Sequence, residues 1–305
     1  MSEKYIEIEK YIDASCVRYN EPMIKHTTLK VGGICDVMVL PKTKEDILIV
    51  LKFAKENSIP VTIIGNGSKL LVRDKGIRGI VIKLSSNFAT ANIDGEYIEV
   101  TAGYTLPRLA ILAKNNSLSG LEFAAGIPGN LGGGIYMNAG AYGSELSNVI
   151  KEVTYIDENL NVKTLSNAEC EFGYRTSIFK KQNKQNVILS AKLKLIAGDK
   201  EEIEALMKQN NDSRKTKQPL EYPSAGSTFK RPEGYFVGKL IDDLGLKGYA
   251  VGNAEISTKH SGFIVNKGNA TAKDVTDLIE HIKEKVLEAY GVKLEEEIIV
   301  LGEGE

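Results

Sequence analysis

Residues 126–143 read GIPGNLGGGIYMNAGAYG, so seven of the chain's 29 glycines fall within 18 residues. Glycine loses more conformational freedom on folding than any other residue and is a poor occupant of helix and strand interiors. A stretch this rich in it predicts a loop that passes close to something flat or charged. Backbone N–H groups left bare in such a loop form a nest for anionic or polar ligand groups. A plain run of turns is the other reading of the same residues. The total of 29 glycines in 305 residues exceeds the about 21 expected at the usual ~7%, and this segment holds much of the surplus.

A second glycine pair, Gly65-Asn66-Gly67-Ser68, directly follows the β-branched run Val61–Ile64. A GxG at a strand end can bring backbone amides against a phosphate. It lacks the third glycine and the following helix of the Rossmann fingerprint, and no GxxxxGK[ST] occurs anywhere. Alone it reads as a tight turn. Together the two sites point to a dinucleotide or flavin held in a non-Rossmann manner.

Several function classes are excluded on composition. Lys plus Arg is 39 against 40 Asp plus Glu, a net charge of −1, so no basic excess favours nucleic acid or an acidic membrane surface. No apolar run approaches the roughly 20 residues that span a bilayer. The mixed-charge start MSEKYIEIEK does not read as a secretory signal. Cys16, Cys35 and Cys170 are odd in number and widely spaced, and His26, His260 and His281 are isolated. Neither a disulfide framework nor a zinc site is expected. The default is a cytoplasmic, metal-free enzyme or binding protein.

Along the chain, Thr43-x-x-Asp46 predicts a capping box, with Ile47, Val50, Leu51 and Ala54 at helical spacing and Pro60 as the stop. Val61–Ile64 and residues 79–84 read as buried strands. This opening block, 1–86, reads as α/β. From residue 87 the pattern turns α+β: Tyr97–Val100, Val149–Asp157 and Val187–Ile196 alternate, and Leu106–Asn116 reads as a helix with Pro107 in its first turn. Residues 199–217 read as a charged linker helix into a last block, 199–305. There Gly262–Val265 is strand-like, and Thr271-x-x-Asp274 opens an amphipathic helix ended by Gly291.

The ordered motifs carry a resemblance. They are His26-Thr27-Thr28…Gly32-Gly33, Gly65-Asn66-Gly67-Ser68, Ala125-Gly126-Ile127-Pro128-Gly129…Gly132-Gly133 and Asn138-Ala139-Gly140-Ala141-Tyr142-Gly143. Gly173-Tyr174-Arg175-x-Ser177-x-Phe179, Ala225-Gly226-Ser227-x-Phe229-Lys230 and Leu294-Glu295-Glu296-Glu297 follow. Each is modest alone, but the set, in this order over residues 22–302, resembles the UDP-N-acetylenolpyruvoylglucosamine reductase family. The resemblance implies an α+β chain. A vanillyl-alcohol-oxidase-type (PCMH) FAD-binding fold would occupy two subdomains, 1–86 and 87–198, with a C-terminal α/β substrate-binding domain in 199–305. It implies NADPH-dependent reduction of the enolpyruvyl ether of UDP-N-acetylglucosamine to UDP-N-acetylmuramate, a cytoplasmic step of peptidoglycan and cell-wall synthesis that serves cell shape and division. FAD and NADPH are the implied cofactors, the partners are small molecules, and the implied state is a monomer. The short span between Tyr174-Arg175 and Val187 resembles the second, loop-lacking type. Two departures stand out: Lys69 where the family usually has asparagine after Ser68, and Glu296 where it usually has proline.

The resemblance also implies roles for residues. Arg175 would grip the substrate carboxylate, a role suited to a guanidinium fork. Ser227 would protonate the α-carbon, which asks that its hydroxyl be placed within reach of a strongly basic enolate. Glu297 would stabilise the enolate as a buried, proton-bearing acid. Gly65, Asn66, Gly67, Ser68, Lys69, Leu70, Gly126, Ile127, Pro128, Gly129, Asn130, Gly133, Asn138 and Gly140 would contact FAD. Tyr174, Lys230, Arg231 and Arg214 would hold the uridine diphosphate. An FAD-dependent oxidase or dehydrogenase of the same fold, acting on another alcohol or amine, is the alternative.

Overall fold

Thr43 opens the helix Lys44–Glu56 with a reciprocal capping box: its hydroxyl accepts from the Asp46 N–H at 3.0 Å, and the Asp46 carboxylate accepts from the Thr43 N–H at 2.9 Å. Ile47, Val50, Leu51, Phe53 and Ala54 are its buried face. The chain then turns at Pro60 into Val61–Ile64, which pairs in parallel with the strand Ile77–Lys83 in the register Val61↔Ile80 to Ile64↔Lys83. The computed structural model describes residues 3–182 and 184–304.

The chain packs as two units that interleave along the sequence. The first takes residues up to Tyr19, Val37–Asn66 and Gly79–Arg214. The second takes Asn20–Asp36, Gly67–Arg78 and the residues from Lys215 onward. The pattern along the sequence and the resemblance divide the chain into three consecutive blocks, 1–86, 87–198 and 199–305. The contact units cut across those blocks because they rest on long-range bonding, which a linear pattern does not show.

In the first unit an antiparallel sheet runs in the order Val162–Ser166, Ile150–Ile156, Val187–Lys194, Tyr97–Thr101, Ala91–Asp94. Its central strand buries Val187, Ile188, Leu189, Ala191 and Leu193. The helix Leu106–Asn115 carries Pro107 at its start, where the missing N–H is no loss, and buries Leu106, Leu109, Ala110 and Ala113. The helix Lys200–Lys217, expected as a linker, instead drives Ile203 and Met207 into this unit's core.

In the second unit an antiparallel sheet runs Ser224–Ser227, Phe263–Asn266, Ala254–Ile256, Ala250–Val251. The 19-residue helix Ala272–Tyr290 buries Val275, Leu278, Ile279, Ile282 and Val286 in the core shared with that sheet. Thr271 and Asp274 form its capping box, and Gly291 closes it at φ +67°. Early segments are tied in by specific bonds. Asp74 accepts from the Ala272 and Lys273 N–H groups at 2.8 and 3.1 Å, at the positive end of the helix. Asn266 donates to the Leu29 and Lys30 carbonyls, Thr28 donates to Ser224 O, and Leu70–Val72 pairs in parallel with Ile299–Leu301.

No helix among the described residues is long and apolar enough to cross a membrane. No group of three or more His, Cys, Asp or Glu side chains among them is arranged to hold a metal ion. Cys16, Cys35 and Cys170 are buried free thiols.

Candidate functional site

The glycine-dense segment is not all loop. Residues Leu131–Tyr136 form a short helix inside it. Two of its glycines answer to packing: a Cβ at Gly132 would lie 2.9 Å from Ala102 Cβ, and one at Gly134 would lie 2.8 Å from Leu146 Cδ1. A Cβ at Gly133 would meet nothing within 4 Å. Glycine is therefore demanded here by neighbouring side chains at two positions and opens a free face at the third. Backbone bonds from Leu106 N to Gly129 O, Leu131 N to Tyr104 O and Gly132 N to Ala102 O, all 2.8–3.0 Å, pin the segment to residues 102–106.

Asn130 precedes this helix and is 2% exposed. Its amide nitrogen donates to Gly103 O at 2.8 Å and Leu84 O at 3.1 Å. That orients Oδ1, which is buried without a hydrogen-bond partner among the described residues. A buried acceptor left unpaired costs about 1–3 kcal/mol. The position therefore fits a ligand that brings an N–H or O–H to Oδ1, and a flavin nucleotide carries both. Gly65 lies against the same side chain, its virtual Cβ 3.5 Å from Asn130 Oδ1. Gly126 is close to Asn211 and Arg214: a Cβ there would be 2.7 Å from Asn211 Oδ1 and 3.0 Å from Arg214 Cδ. Arg214, expected at the uridine diphosphate, thus packs on the glycine segment. Burial pulls its guanidinium below the ordinary value, opposed by nearby Tyr142.

The Gly173–Ser177 motif is sewn onto the end of that segment. Gly173 and Thr176 exchange backbone hydrogen bonds across a tight turn whose third residue, Arg175, sits at φ +55°. A non-glycine residue there costs roughly 1–3 kcal/mol, a strain typical of functional positions. Arg175 Nη2 donates to Gly140 O at 2.9 Å, and its carbonyl accepts from Lys180 Nζ at 3.2 Å. The guanidinium lies over the Tyr174 ring, 5.1 Å from its centroid. Ser177 donates to Tyr136 O at 2.8 Å.

Asn138, fully buried, is the hub of this junction. It donates to Glu145 Oε1 at 2.8 Å and Gly173 O at 3.2 Å, and its Oδ1 accepts from Ser147 N at 3.0 Å. The side chain expected to contact cofactor is thus engaged in holding two loops. Gly140 pairs with Glu145 across a hairpin turned by Tyr142 and Gly143, both at positive φ. Sequence reading missed the hairpin and the hub; the Tyr142-Gly143 pair was the available signal.

The other two expected catalytic residues come together in the second unit. The chain from Thr228 to Lys230 pairs with 295–297: Lys230 N donates to Glu295 O and Glu297 N to Thr228 O, both at 2.8 Å, with Phe229 bridging Glu296. Glu297 is buried and Ser227 half-buried. Lys69 reaches both. Its Nζ lies 2.8 Å from Glu297 Oε1 and donates to Ser227 O at 2.8 Å. Lys69 O accepts from Ile299 N, which aligns the residue beside the strand Ile299–Leu301, two residues after Glu297. Glu296, in the place of the usual proline, pairs with Lys283 at 2.9 Å.

The remaining substrate candidates are engaged locally. Lys230 Nζ pairs with Glu295. Exposed Arg231 stacks 3.8 Å above the Phe236 ring centroid. His260 accepts at Nδ1 from Gly262 N at 3.1 Å, and burial pushes its imidazole below the usual range. Gly67, Ser68 and Leu70 lie in the second unit with Lys69.

Comparison with known proteins bears on these geometries. A family model described as an FAD binding domain matches residues 35–166, and one described as UDP-N-acetylenolpyruvoylglucosamine reductase, C-terminal domain, matches residues 218–301. The UDP-N-acetylenolpyruvoylglucosamine reductase of Caldanaerobacter subterraneus subsp. tengcongensis is 51% identical over 93% of each chain. That of Alkaliphilus oremlandii is 49% identical over 98% of each. Among solved structures, the UDP-N-acetylenolpyruvylglucosamine reductase (MurB) of Thermus caldophilus matches with a TM-score of 0.80 at 36% identity, covering 94% of this chain and 98% of its own. Phl p 4.0202, a glucose dehydrogenase, matches at a TM-score of 0.50 and 12% identity over 65% of this chain and 45% of its own, a likeness of fold alone.

Proposed function

The chain belongs to the UDP-N-acetylenolpyruvoylglucosamine reductase family, the FAD-dependent oxidoreductases of peptidoglycan synthesis, and from that premise we propose how its residues divide the work. A flavin held here would supply the hydride-transfer chemistry between a nicotinamide and the enolpyruvyl group. NADPH is the nicotinamide in this reading. Asn130, through its unpaired Oδ1, and the Gly65-Asn66 and Gly126–Gly133 backbones hold the flavin. Arg175 grips the substrate carboxylate, where negative charge grows as hydride arrives at the β-carbon; its left-handed backbone and its bond to Gly140 O preset the fork. Ser227 gives its hydroxyl proton to the α-carbon and regains one from water. Glu297 lies beside that serine and lends its carboxyl to the developing enolate. Tyr174, Arg231 and Lys230 serve the uridine diphosphate.

The observation that supports this most is the backbone register of 228–230 against 295–297, which sets a buried carboxylate next to the Ser227 segment. The test is NADPH oxidation by the purified yellow protein. Oxidation should require the enolpyruvyl nucleotide and should yield UDP-N-acetylmuramate. Flavin reduction that is discharged only by oxygen, whatever the nucleotide present, would favour an oxidase of the same fold. We also read the enzyme as a cytoplasmic monomer; light scattering should then give a single species near 33.3 kDa.

A further inference from the structure

We propose that Lys69 is a positioning residue of the protonation step, one that couples Glu297 to Ser227; this rests on the catalytic reading of those two residues given above. Its ammonium lies 2.8 Å from Glu297 Oε1 and 2.8 Å from the Ser227 carbonyl oxygen. One cation thus touches both residues assigned to the enolate. The contact is built into the fold. Lys69 precedes a strand that pairs in parallel with Ile299–Leu301, and its carbonyl accepts from Ile299 N at 2.8 Å, so its side chain emerges beside Glu297. On the other side stands Gly226 at φ +72°, where a Cβ would come within 3.3 Å of Lys69 Nζ. Glycine therefore serves twice at this position, for its backbone angle and for the room it leaves the ammonium.

Two chemical consequences follow. Oε1 accepts from Lys69 at 2.8 Å, and this contact fixes how the Glu297 carboxyl is presented. The acid is thereby given one orientation. Second, when Ser227 gives its proton to the α-carbon, the O–H bond breaks, a C–H bond forms and an alkoxide is left until water reprotonates it. A positive charge held on the same residue's main chain lowers the cost of that transient anion, because electrostatic stabilisation prearranged at the site of developing charge needs no reorganisation. The side chain contacts the acid and the serine segment, a role that stands beside its expected place near the flavin.

The experiment separates the two half-reactions on flavin-loaded enzyme by stopped flow. Lys69→Met should slow flavin reduction by NADPH far less than it slows the second half-reaction. It should slow reoxidation by the enolpyruvyl nucleotide about 10²-fold, the loss expected when a reacting group drifts by about 1 Å. The slowing in D₂O should grow, since proton delivery becomes more limiting. Lys69→Arg, which keeps charge and donors, should recover part of the rate. Melting temperature is the second readout. Lys69→Met should lower it by removing the ammonium beside a buried carboxylate, and adding Glu297→Gln should restore part of the loss. Equal slowing of both half-reactions, or reoxidation of Lys69→Met at the unmodified rate, overturns the proposal. Failure of the unmodified enzyme to reoxidise with the enolpyruvyl nucleotide would instead overturn the functional reading on which it rests.

Discussion

Arg175 carries a cost that its position explains. A guanidinium at φ +55° is strained, yet the turn, the Gly140 contact and the Lys180 bond to its carbonyl all hold it there. Its sequence neighbourhood revealed the arginine but not the strain, because backbone angles at a turn depend on what the turn is tied to. Ser227 poses the opposite problem. A serine hydroxyl is a weak acid, so placement has to do what acidity cannot. Ser227→Ala should therefore leave flavin reduction by NADPH close to normal while the reoxidation half-reaction stalls, as seen by flavin absorbance after single mixing. If reduction itself collapsed, the serine would belong to nicotinamide or flavin binding instead.

At the scale of elements, the glycine segment shows why composition misleads. Seven glycines in 18 residues read as loop, but six residues within it form a helix, and Ala102, Leu106 and Leu146 come too close to two of its positions for side chains there. Helix propensity was overridden by packing. Substitutions there should separate structural from binding glycines. Gly132→Ala forces a Cβ against Ala102 and should destabilise the flavin-free protein by about 1–3 kcal/mol in urea unfolding. Gly133→Ala meets open space, and alanine in a helix is favoured by up to roughly 1 kcal/mol. It should leave unfolding unchanged or slightly improved while weakening flavin binding in a fluorescence titration. Tight flavin binding by Gly133→Ala would remove that glycine from the cofactor site. The capping boxes at Thr43 and Thr271, by contrast, were legible outright, since capping needs only residues three apart.

On the scale of the whole molecule, each unit has its own apolar core, and each core draws on segments far apart in sequence. Asp74 at the start of the helix Ala272–Tyr290, and Asn266 on the carbonyls of Leu29 and Lys30, show how early residues come to serve the later unit. Asn130 Oδ1 is buried without a hydrogen-bond partner among the described residues, and in the proposed reading the flavin supplies that partner. Removing the flavin should therefore lower the melting temperature, and adding it back should restore it in a concentration-dependent way. At a hundredfold excess over Kd the gain is about 2.7 kcal/mol. A melting temperature indifferent to flavin would show that the cofactor binds without selecting the folded state.

The sequence by itself determined the capped helices and the alternating strands, the class of cofactor and, through the order of its motifs, the family. Helix caps, strand alternation and glycine density are written in near neighbours, and motif order survives without coordinates. Tertiary structure alone decided which glycines pack and which face open space. It also decided that Asn138 and Lys69 hold other residues in place, and that the chain interleaves into two units. Those outcomes depend on contacts between residues tens to hundreds of positions apart, and such contacts leave no periodicity in the sequence to be read.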